Sequence, residues 1–335
     1  MNVILLIPLL IGFFLTLGLL PFWIKKAWRI GLVWEDMNKF KKPKVAGSGG
    51  LVVVTGFILS VLVYIAIKTF YFKSVEKVVE IFSLTTTILL LAGTGLIDDL
   101  LGWHRGGLSK KFRLVTCVFA SIPLIVVNAG VSKMAFPLIG EIELGLFYPL
   151  FLIPLGITGA ATTYNFLAGF NGLEASQGII ILAGLGITTY FTGNSWLSLI
   201  CLMMIACLLA FLIFNKFPAK VFPGNSITYS IGGLIACIAI LGNIEKIAVF
   251  FFIPYIIETI LKSRGKLRKQ SFGKPNKNNE LDLLYDKIYG ITHFSIYFLN
   301  KIGIRATEKR VVYLINSFQI LIIIIGLLIF RAAIF

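Results

Sequence analysis

Two adjacent acidic residues, Asp98 and Asp99, follow an otherwise apolar stretch of the sequence. Charge is costly in an apolar segment, and neighbouring carboxylates repel each other, so both stay ionised only beside a cation or a basic group. Basic residues follow shortly afterwards, and Arg113 is the last of them. The pattern suggests a site for a cation or for paired charges, but it is not specific to one. A solvated helix end with an internal charge pair would give the same sequence.

A second polar segment, Asn165 to Glu174, reads Asn-Phe-Leu-Ala-Gly-Phe-Asn-Gly-Leu-Glu between two apolar stretches. Its glycines permit backbone conformations with positive φ, and its amides can donate or accept hydrogen bonds. An ordinary turn between helices also uses Asn and Gly, but it has no need of a glutamate. We therefore favour a loop that approaches a polar ligand. The Pro-Gly-Asn pattern that ends in Asn225 predicts, by itself, only a turn and a helix cap.

Two further segments carry charge. Glu35, Asp36 and Met37 open a lysine-rich stretch that ends in Gly-Ser-Gly-Gly at 47–50. Such glycines suit anion binding at a helix N-terminus, and they equally suit close helix packing. The basic stretch 262–274 would either attract lipid headgroups or clamp a phosphate or pyrophosphate, and the sequence favours neither.

The elements that hold these residues are predicted to be membrane helices. Of 335 residues, 58% are hydrophobic and only 14% are charged, and the mean hydropathy is +0.92. Soluble domains average about 25% charged residues, so the composition excludes a soluble enzyme, a disordered chain and a secreted disulfide scaffold. We predict an all-α polytopic membrane protein, with a single domain over 1–335 and about ten transmembrane helices. The predicted spans are 1–23, 45–67, 81–97, 114–130, 146–164, 175–192, 196–214, 226–243, 246–261 and 312–330.

The distribution of basic residues predicts the topology. The loops 24–44, 98–113, 215–225 and 262–311 hold seven, four, two and twelve Lys and Arg residues, and the rest of the chain holds six. By the positive-inside rule these four are the inside loops, and the N-terminus lies outside. All the candidate segments then face the cytoplasm. Topology and attraction to anionic headgroups account for most of the net charge of +16, so we expect a bilayer and no nucleic acid as partner.

Together these segments resemble the polyprenyl-phosphate N-acetylhexosamine-1-phosphate transferases. This superfamily includes the bacterial phospho-MurNAc-pentapeptide translocases and the eukaryotic dolichyl-phosphate GlcNAc-1-phosphotransferases. The segment 165–174 is similar to the loop of the eukaryotic and archaeal branch, and Asp-Met-Asn-Lys at 36–39 matches its first-loop motif. The resemblance extends from about residue 30 to about residue 290.

The resemblance implies a reaction and its partners. A lipid phosphate attacks the β-phosphorus of UDP-GlcNAc, and the products are lipid-pyrophosphate-sugar and UMP. The expected cofactor is Mg²⁺, with Mn²⁺ as an alternative, and the acceptor is dolichyl or polyprenyl phosphate. A homodimer is compatible with the family. The carrier points to protein N-glycosylation, in which this step would start the assembly of a lipid-linked oligosaccharide.

The resemblance also assigns roles. Asp98 and Asp99 are the catalytic carboxylates, and Asn165 and Asn225 are candidate metal ligands. The implied substrate-binding residues are the first-loop nucleotide contacts Glu35, Asp36 and Met37, the lipid-phosphate ligand Arg113, the nucleotide ligand Asn171, Glu174 of the same loop, and the pyrophosphate ligands Arg268 and Lys269. In a shifted register, Lys110 or Lys111 would replace Arg113.

Several positions depart from the family pattern. Relatives usually carry Asp where this chain has Asn225, Asn where it has Thr162, and, in the dolichol enzyme, Glu where it has Gly47. Mg²⁺ is usually held by one or two carboxylates together with substrate phosphates. We therefore expect the metal to bind weakly to the free protein and to arrive with the UDP-sugar. The three-His motif of the bacterial branch is absent, which argues against a peptidoglycan substrate.

Three alternatives stay open. A lipid monophosphate has a second pKa near about 6 and is mostly dianionic at neutral pH, so we favour direct attack over an aspartyl nucleophile, with Asp99 and Asp98 positioning cations or removing a residual proton. The same reaction with another UDP-sugar is the second alternative. The third is a transporter or lipid flippase, although transport sites typically lie near the bilayer midplane rather than at inner helix ends.

Overall fold

The computed structural model describes residues 2–136 and 140–334, most of which are helical. The helices, in chain order, are α1 (Leu6–Ile30), α2 (Gly50–Ala66), α3 (Val78–Arg105), α4 (Lys110–Ala120), α5 (Ile122–Val126), α6 (Ile153–Tyr164), α7 (Leu173–Phe191), α8 (Ser195–Asn215), α9 (Asn225–Gly242), α10 (Glu245–Phe251), α11 (Ile253–Arg264), α12 (Ile291–Lys301), α13 (Glu308–Ile329) and α14 (Arg331–Ile334). Wider π-helical turns extend α2 over Ile67–Tyr71 and precede α6 over Tyr148–Leu152.

Six helices in the described part of the chain are long and apolar enough to cross a bilayer. They are Val3–Ile30, Gly50–Tyr71, Val78–Gly102, Ser195–Asn215, Asn225–Gly242 and Glu308–Ile329. Each coincides with a predicted span, so the prediction of a helical membrane protein is confirmed. The count of about ten spans stays a prediction.

Three of the other predicted spans are interrupted rather than continuous. The span 114–130 is divided between α4 and α5, 146–164 begins with a π-helical turn before α6, and 246–261 is divided between α10 and α11. In each case a proline (Pro123, Pro154 or Pro254) stands in the first turn of the second helix. Because proline has no N–H, it is favoured in a first helical turn, where that N–H would have no partner. These residues therefore begin helices instead of lying inside them.

Two helices extend further than predicted at the end that carries charge. α1 continues to Ile30, where Gly31 adopts φ +79° and ends it. α3 continues to Arg105, so Asp98 and Asp99 lie within its last turns instead of at the start of a loop. The helix fixes the direction of both side chains.

α9 is the central helix, with nearly all of its residues buried between α3 and α6. Two glycines permit this close approach. A Cβ at Gly95 of α3 would lie 2.4 Å from the carbonyl oxygen of Asn225, and a Cβ at Gly232 would lie 2.4 Å from that of Ala160. Small residues let membrane helices pack with their backbones in contact. The packing places the start of α9 directly against the acidic end of α3.

In the described ranges 2–136 and 140–334, three short antiparallel hairpins interrupt the helical fold, which the all-α prediction did not include. They are β1 (Val33–Glu35) with β2 (Lys44–Ala46), β3 (Lys133–Phe136) with β4 (Gly140–Glu143), and β5 (Lys274–Pro275) with β6 (Leu281–Asp282). The first hairpin presents Glu35 and the following residues, and its Ala46 pairs with Val221 just before α9.

The four basic loops, 24–44, 98–113, 215–225 and 262–311, meet at one end of the helix bundle. The N–H of Phe40 donates to Oδ1 of Asn279 at 2.9 Å, which joins the loops 24–44 and 262–311. The ammonium of Lys110 donates to the carbonyl of Leu267 at 3.3 Å. Ala46, which follows the loop 24–44, pairs with Val221 of the loop 215–225. Segments far apart in sequence therefore form one polar region.

Candidate active site

A cavity of about 850 Å³ opens among the four basic loops. Its size lies in the range of about 300–1,000 Å³ that is usual for small-molecule sites. Nine of the twelve predicted site residues line it: Glu35, Asp36, Met37, Asp98, Asp99, Arg113, Asn165, Glu174 and Asn225. The other three, Asn171, Arg268 and Lys269, lie outside the cavity wall as the structure describes it.

Asp98 is buried and has a partner on each carboxylate oxygen. Oδ1 accepts the backbone N–H of Leu108 at 2.7 Å, and Oδ2 accepts the side-chain amide of Asn225 at 2.7 Å. Nε of Arg113 lies 3.3 Å from Oδ2. Together these three partners hold the carboxylate of Asp98 in one orientation.

Asp99 is held by the start of α9. Its Oδ1 accepts the backbone N–H of Asn225 at 2.8 Å, and its Oδ2 accepts the hydroxyl of Ser48 at 3.1 Å. The partial positive charge of a helix N-terminus stabilises a carboxylate placed there. Asn225 therefore binds both aspartates, one through its backbone and one through its side chain.

Two glycines leave room for these carboxylates. Gly224 has φ +75°, and a Cβ there would lie 2.3 Å from Oδ2 of Asp99. Gly107 has φ +80°, and a Cβ there would lie 2.8 Å from Oδ1 of Asp98. Positive φ is strained for other residues, so backbone conformation and space both require glycine at these positions.

Asn165 and Glu174 approach the cavity from the ends of α6 and α7. Oδ1 of Asn165 accepts the hydroxyl of Thr228 at 3.0 Å. Oε1 of Glu174 accepts the N–H of Gly169 at 2.8 Å, whereas its buried Oε2 has no hydrogen-bond partner among the described residues. Buried carboxylate oxygens normally have partners, so Glu174 retains an acceptor in the cavity wall.

Asn171 lies in a buried network behind the first loop. Its side-chain amide donates to Asp36 at 3.1 Å and to Glu308 at 2.7 Å, and its Oδ1 accepts the N–H of Ala219 at 2.6 Å. Lys39 forms ion pairs with Asp36 and with Glu308, the latter at 3.1 Å. Asn171 thus fixes two loops to α13, and a direct contact with a nucleotide would require some of these bonds to break.

The basic loop presents a different side chain from those that the sequence indicated. Arg268 is exposed, and the ammonium of Lys269 lies over the rings of Tyr285 and Tyr289, at 4.5 and 5.5 Å from their centroids. Lys262 lines the cavity instead, 3.7 Å from Oε1 of the buried Glu258. Burial lowers the pKa of Lys262, and the carboxylate of Glu258 opposes that shift.

Sequence reasoning did not select Ser48, Thr228, Lys262 or Glu308 as site residues. Ser48 stands in a Gly-Ser-Gly-Gly stretch, where the glycines alone account for the pattern. Glu308 begins an apolar helix, where an acidic first-turn residue is ordinary. Lys262 carried a signal, since it follows one turn after the buried acid Glu258.

The donors in the wall fit a magnesium site completed by substrate. Among the described residues no three His, Cys, Asp or Glu side chains cluster as a metal cage. Mg²⁺ typically uses only one or two carboxylates and completes its shell with phosphates and water. Asp98 and Asp99, with the amide oxygen of Asn165, supply such a set, because each carboxylate can accept further bonds beyond those already made.

The profile of glycosyl transferase family 4 matches residues 81–243. The chain is also 35% identical over 325 residues to a protein of Saccharolobus solfataricus, with 96% of each chain covered. The name of that relative is a provisional one, UDP-N-acetylglucosamine–dolichyl-phosphate N-acetylglucosaminephosphotransferase. The chain belongs to glycosyl transferase family 4.

Other relatives of this family 4 member represent both branches of the superfamily. A UDP-N-acetylglucosamine–dolichyl-phosphate N-acetylglucosaminephosphotransferase of Dictyostelium discoideum is 30% identical, over 72% of this chain and 67% of its own. A phospho-N-acetylmuramoyl-pentapeptide-transferase of Clostridium perfringens is 29% identical, over 67% of this chain and 69% of its own. The family predicted from the motifs is confirmed.

Proposed function

We propose that this protein transfers GlcNAc-1-phosphate from UDP-GlcNAc to dolichyl phosphate or a related polyprenyl phosphate and releases UMP. The names of its archaeal and Dictyostelium relatives support the donor and the acceptor. The observation that carries the proposal is the convergence of Asp98, Asp99, Asn165 and Asn225 from distant segments on one cavity. A phosphoryl transfer between two anions needs such a cluster of fixed ligands.

The reaction joins an oxygen of the lipid phosphate to the β-phosphorus of the UDP-sugar, and the bond from that phosphorus to the bridging oxygen of UMP breaks. Arg113, which is fixed against Asp98, binds the lipid phosphate. Asp99 orients cationic partners and accepts the residual proton of the acceptor. Glu35, Asp36 and Met37 contact the nucleotide, and the loop that contains Glu174 forms a further part of its cavity wall.

Mg²⁺, with Mn²⁺ as a substitute, would be held by Asp98, Asp99 and Asn165 and would neutralise charge on the diphosphate. Asn225 serves this site differently from the Asp of its relatives. Its amide donates to Oδ2 of Asp98, which a carboxylate cannot do, and it adds no third negative charge beside the two aspartates. Weak metal binding in the absence of substrate follows from this donor set.

The cavity is proposed to face the cytoplasm, with about ten spans and the N-terminus outside. The meeting of the four basic inside loops at one end of the bundle supports this orientation. A UDP-sugar is a soluble, charged donor, so its site must open to water. The lipid acceptor reaches the same site from the bilayer, because Asp98 and Asp99 lie on a helix long enough to span it.

The deciding experiment measures UMP released by the purified protein from UDP-GlcNAc, polyprenyl phosphate and Mg²⁺. We expect turnover by the wild type and a loss of about 10²-fold or more in Asp99→Ala and Asn165→Ala. Asp282→Ala, an exposed change outside the cavity wall, is the control. Release of UMP from other UDP-sugars alone would revise the donor. Uptake or flipping of substrate with no UMP release would overturn the proposal in favour of a carrier.

Calorimetry tests how the metal is held. Mg²⁺ should bind the nucleotide-free protein weakly and bind at least about tenfold more tightly when UDP-GlcNAc is present, because the phosphates complete its coordination. Asp98→Asn should remove most of the nucleotide-dependent gain. Tight binding of Mg²⁺ or Mn²⁺ to the nucleotide-free protein would contradict this account of the donor set.

A further inference from the structure

Among the described residues of the basic stretch 262–274, Lys262 is the one whose cationic side chain reaches the cavity. It stands on the last turn of α11, beside Phe166, whose ring centroid lies 5.7 Å from its ammonium. Phe166 directly follows Asn165 and also lines the cavity. Lys262 is thus placed next to the loop 165–174, and it lines the same cavity as the Arg113–Asp98 pair.

The surroundings of Lys262 form a built position rather than a mobile surface lysine. Its side chain is 13% exposed, and that of Glu258 is fully buried. Oε2 of Glu258 accepts the N–H of Ile291 at 2.5 Å, which ties the carboxylate to the start of α12. Its Oε1 lies 3.7 Å from the ammonium of Lys262 and has no hydrogen-bond partner among the described residues.

The separation of 3.7 Å is an ion pair without a hydrogen bond. The three N–H donors of Lys262 are therefore not used up by Glu258, and a lysine ammonium without acceptors is costly when it is largely buried. Among the side chains that the structure describes, the cavity wall holds five carboxylates and two other cationic groups, those of Lys44 and Arg113. A multiply charged phosphate ligand in this cavity needs a further cation beside Arg113, which is already paired with Asp98.

We propose that Lys262 binds the diphosphate of the nucleotide-sugar and that Glu258 positions it for that contact. The inference rests on the proposed function and deepens it, since it assigns the diphosphate contact to a residue outside the predicted pair Arg268 and Lys269. Glu258 is a positioning residue, because it acts only through Lys262. The contact is with the diphosphate rather than with the nucleoside, because an ammonium is a point charge suited to phosphate oxygens.

The test compares the binding of uridine and UDP in calorimetry with Mg²⁺ present. Lys262→Met should weaken UDP binding by about tenfold or more while uridine binding stays within about twofold. Lys266→Met is the matched control, since Lys266 is an exposed lysine of the same loop and outside the cavity wall. It should leave both affinities within about twofold. Lys262→Arg, which keeps the charge, should retain most of the UDP affinity.

A double variant separates this role from a purely structural one. If Lys262 only neutralised Glu258, adding Glu258→Gln to Lys262→Met would restore UDP affinity together with thermal stability. We expect stability to recover and UDP affinity to stay low. Unchanged UDP affinity in Lys262→Met, or its recovery in the double variant, would overturn the inference. The proposed function fails separately, if the wild type binds UDP but releases no UMP from UDP-GlcNAc.

Discussion

Asp99 illustrates how single side chains acquire their roles in this site. Both of its oxygens already accept bonds, from the backbone of Asn225 and from Ser48, so its orientation is fixed before any substrate binds. A fixed carboxylate beside an acceptor phosphate can orient cations and take up a proton. The second role matters only where the acceptor still carries a proton.

This distinction predicts a pH-dependent effect of Asp99→Asn. A phosphate monoester with a second pKa of about 6 is about half monoanionic at pH 6 and almost fully dianionic at pH 8.5. We therefore expect the variant to lose much less UMP-releasing activity at pH 8.5 than at pH 6, relative to the wild type at each pH. Equal losses would contradict proton removal by Asp99. A trapped phosphoaspartyl enzyme would establish the nucleophilic alternative.

Gly224 makes the second prediction at this scale. In Gly224→Ala the new Cβ would meet the carboxylate of Asp99, and the positive φ would add strain of about 1 kcal/mol or more. Gly303→Ala is a matched control, because Gly303 has φ +80° with nothing within 4 Å of a Cβ. Both variants share the strain of a positive φ, and Gly224→Ala should lose additional stability through the contact with Asp99. Only Gly224→Ala should lower kcat, by about tenfold or more. Similar kcat values in both would show that the position of Asp99 tolerates the change.

At the scale of elements, the buried network of Asp36, Lys39, Asn171 and Glu308 attaches the first loop to α13. Lys39 is the cation between two buried carboxylates, and its ammonium also lies 4.6 Å from the ring centroid of Phe217. The network fixes the first hairpin, which carries part of the cavity wall. Through side chains, this network connects a segment near the N-terminus with the start of α13. Hydropathy patterns do not reveal such a connection.

Lys39→Met should therefore be strongly destabilising. It leaves Asp36 and Glu308 buried together without their cation, a loss of about 3–5 kcal/mol for a broken buried pair. Lys77→Met removes a lysine from the exposed pair with Glu80 and should cost less than about 1 kcal/mol. Thermal unfolding in detergent compares the two Tm values. A Tm of Lys39→Met close to that of Lys77→Met would show that the buried carboxylates find other partners.

The sequence predicted the long helices well, because uncharged apolar stretches have few alternatives in a bilayer. It predicted poorly where local chemistry competes with hydropathy. The divisions before Pro123 and Pro254 and the extension of α3 past Asp99 depend on first-turn preferences and on packing against α9. Motifs found most of the cavity wall, since polar residues in apolar surroundings are conspicuous.

Pairings between distant segments account for what the sequence left out. Lys39 and Glu308 come from opposite ends of the chain, and nothing local to either residue identifies the other. Likewise, Lys262 rather than Arg268 lines the cavity because of the direction of α11 and because Glu258 is bonded to the start of α12. Such contacts follow from tertiary packing, which a single sequence does not encode in any short pattern.

At the scale of the whole molecule, the basic loops and the cavity lie at the same end of the helix bundle. The loops richest in Lys and Arg meet around the cavity, whereas the loop between α2 and α3, which contains Lys73, joins the helices at their other ends. Because basic loops are retained on the cytoplasmic side, the cavity should open to the cytoplasm. A soluble nucleotide donor and a lipid acceptor can then meet at one membrane face.

Cysteine labelling tests this orientation directly. The four native cysteines, Cys117, Cys201, Cys207 and Cys237, are buried, so the background labelling should be low. A membrane-impermeant maleimide should label Lys73→Cys in right-side-out vesicles and leave Lys277→Cys unlabelled, and inverted vesicles should reverse the pattern. Both positions are exposed, so access to water is not the limit. Labelling of both from the same side would contradict the proposed topology and separate the cavity from a cytoplasmic supply of UDP-sugar.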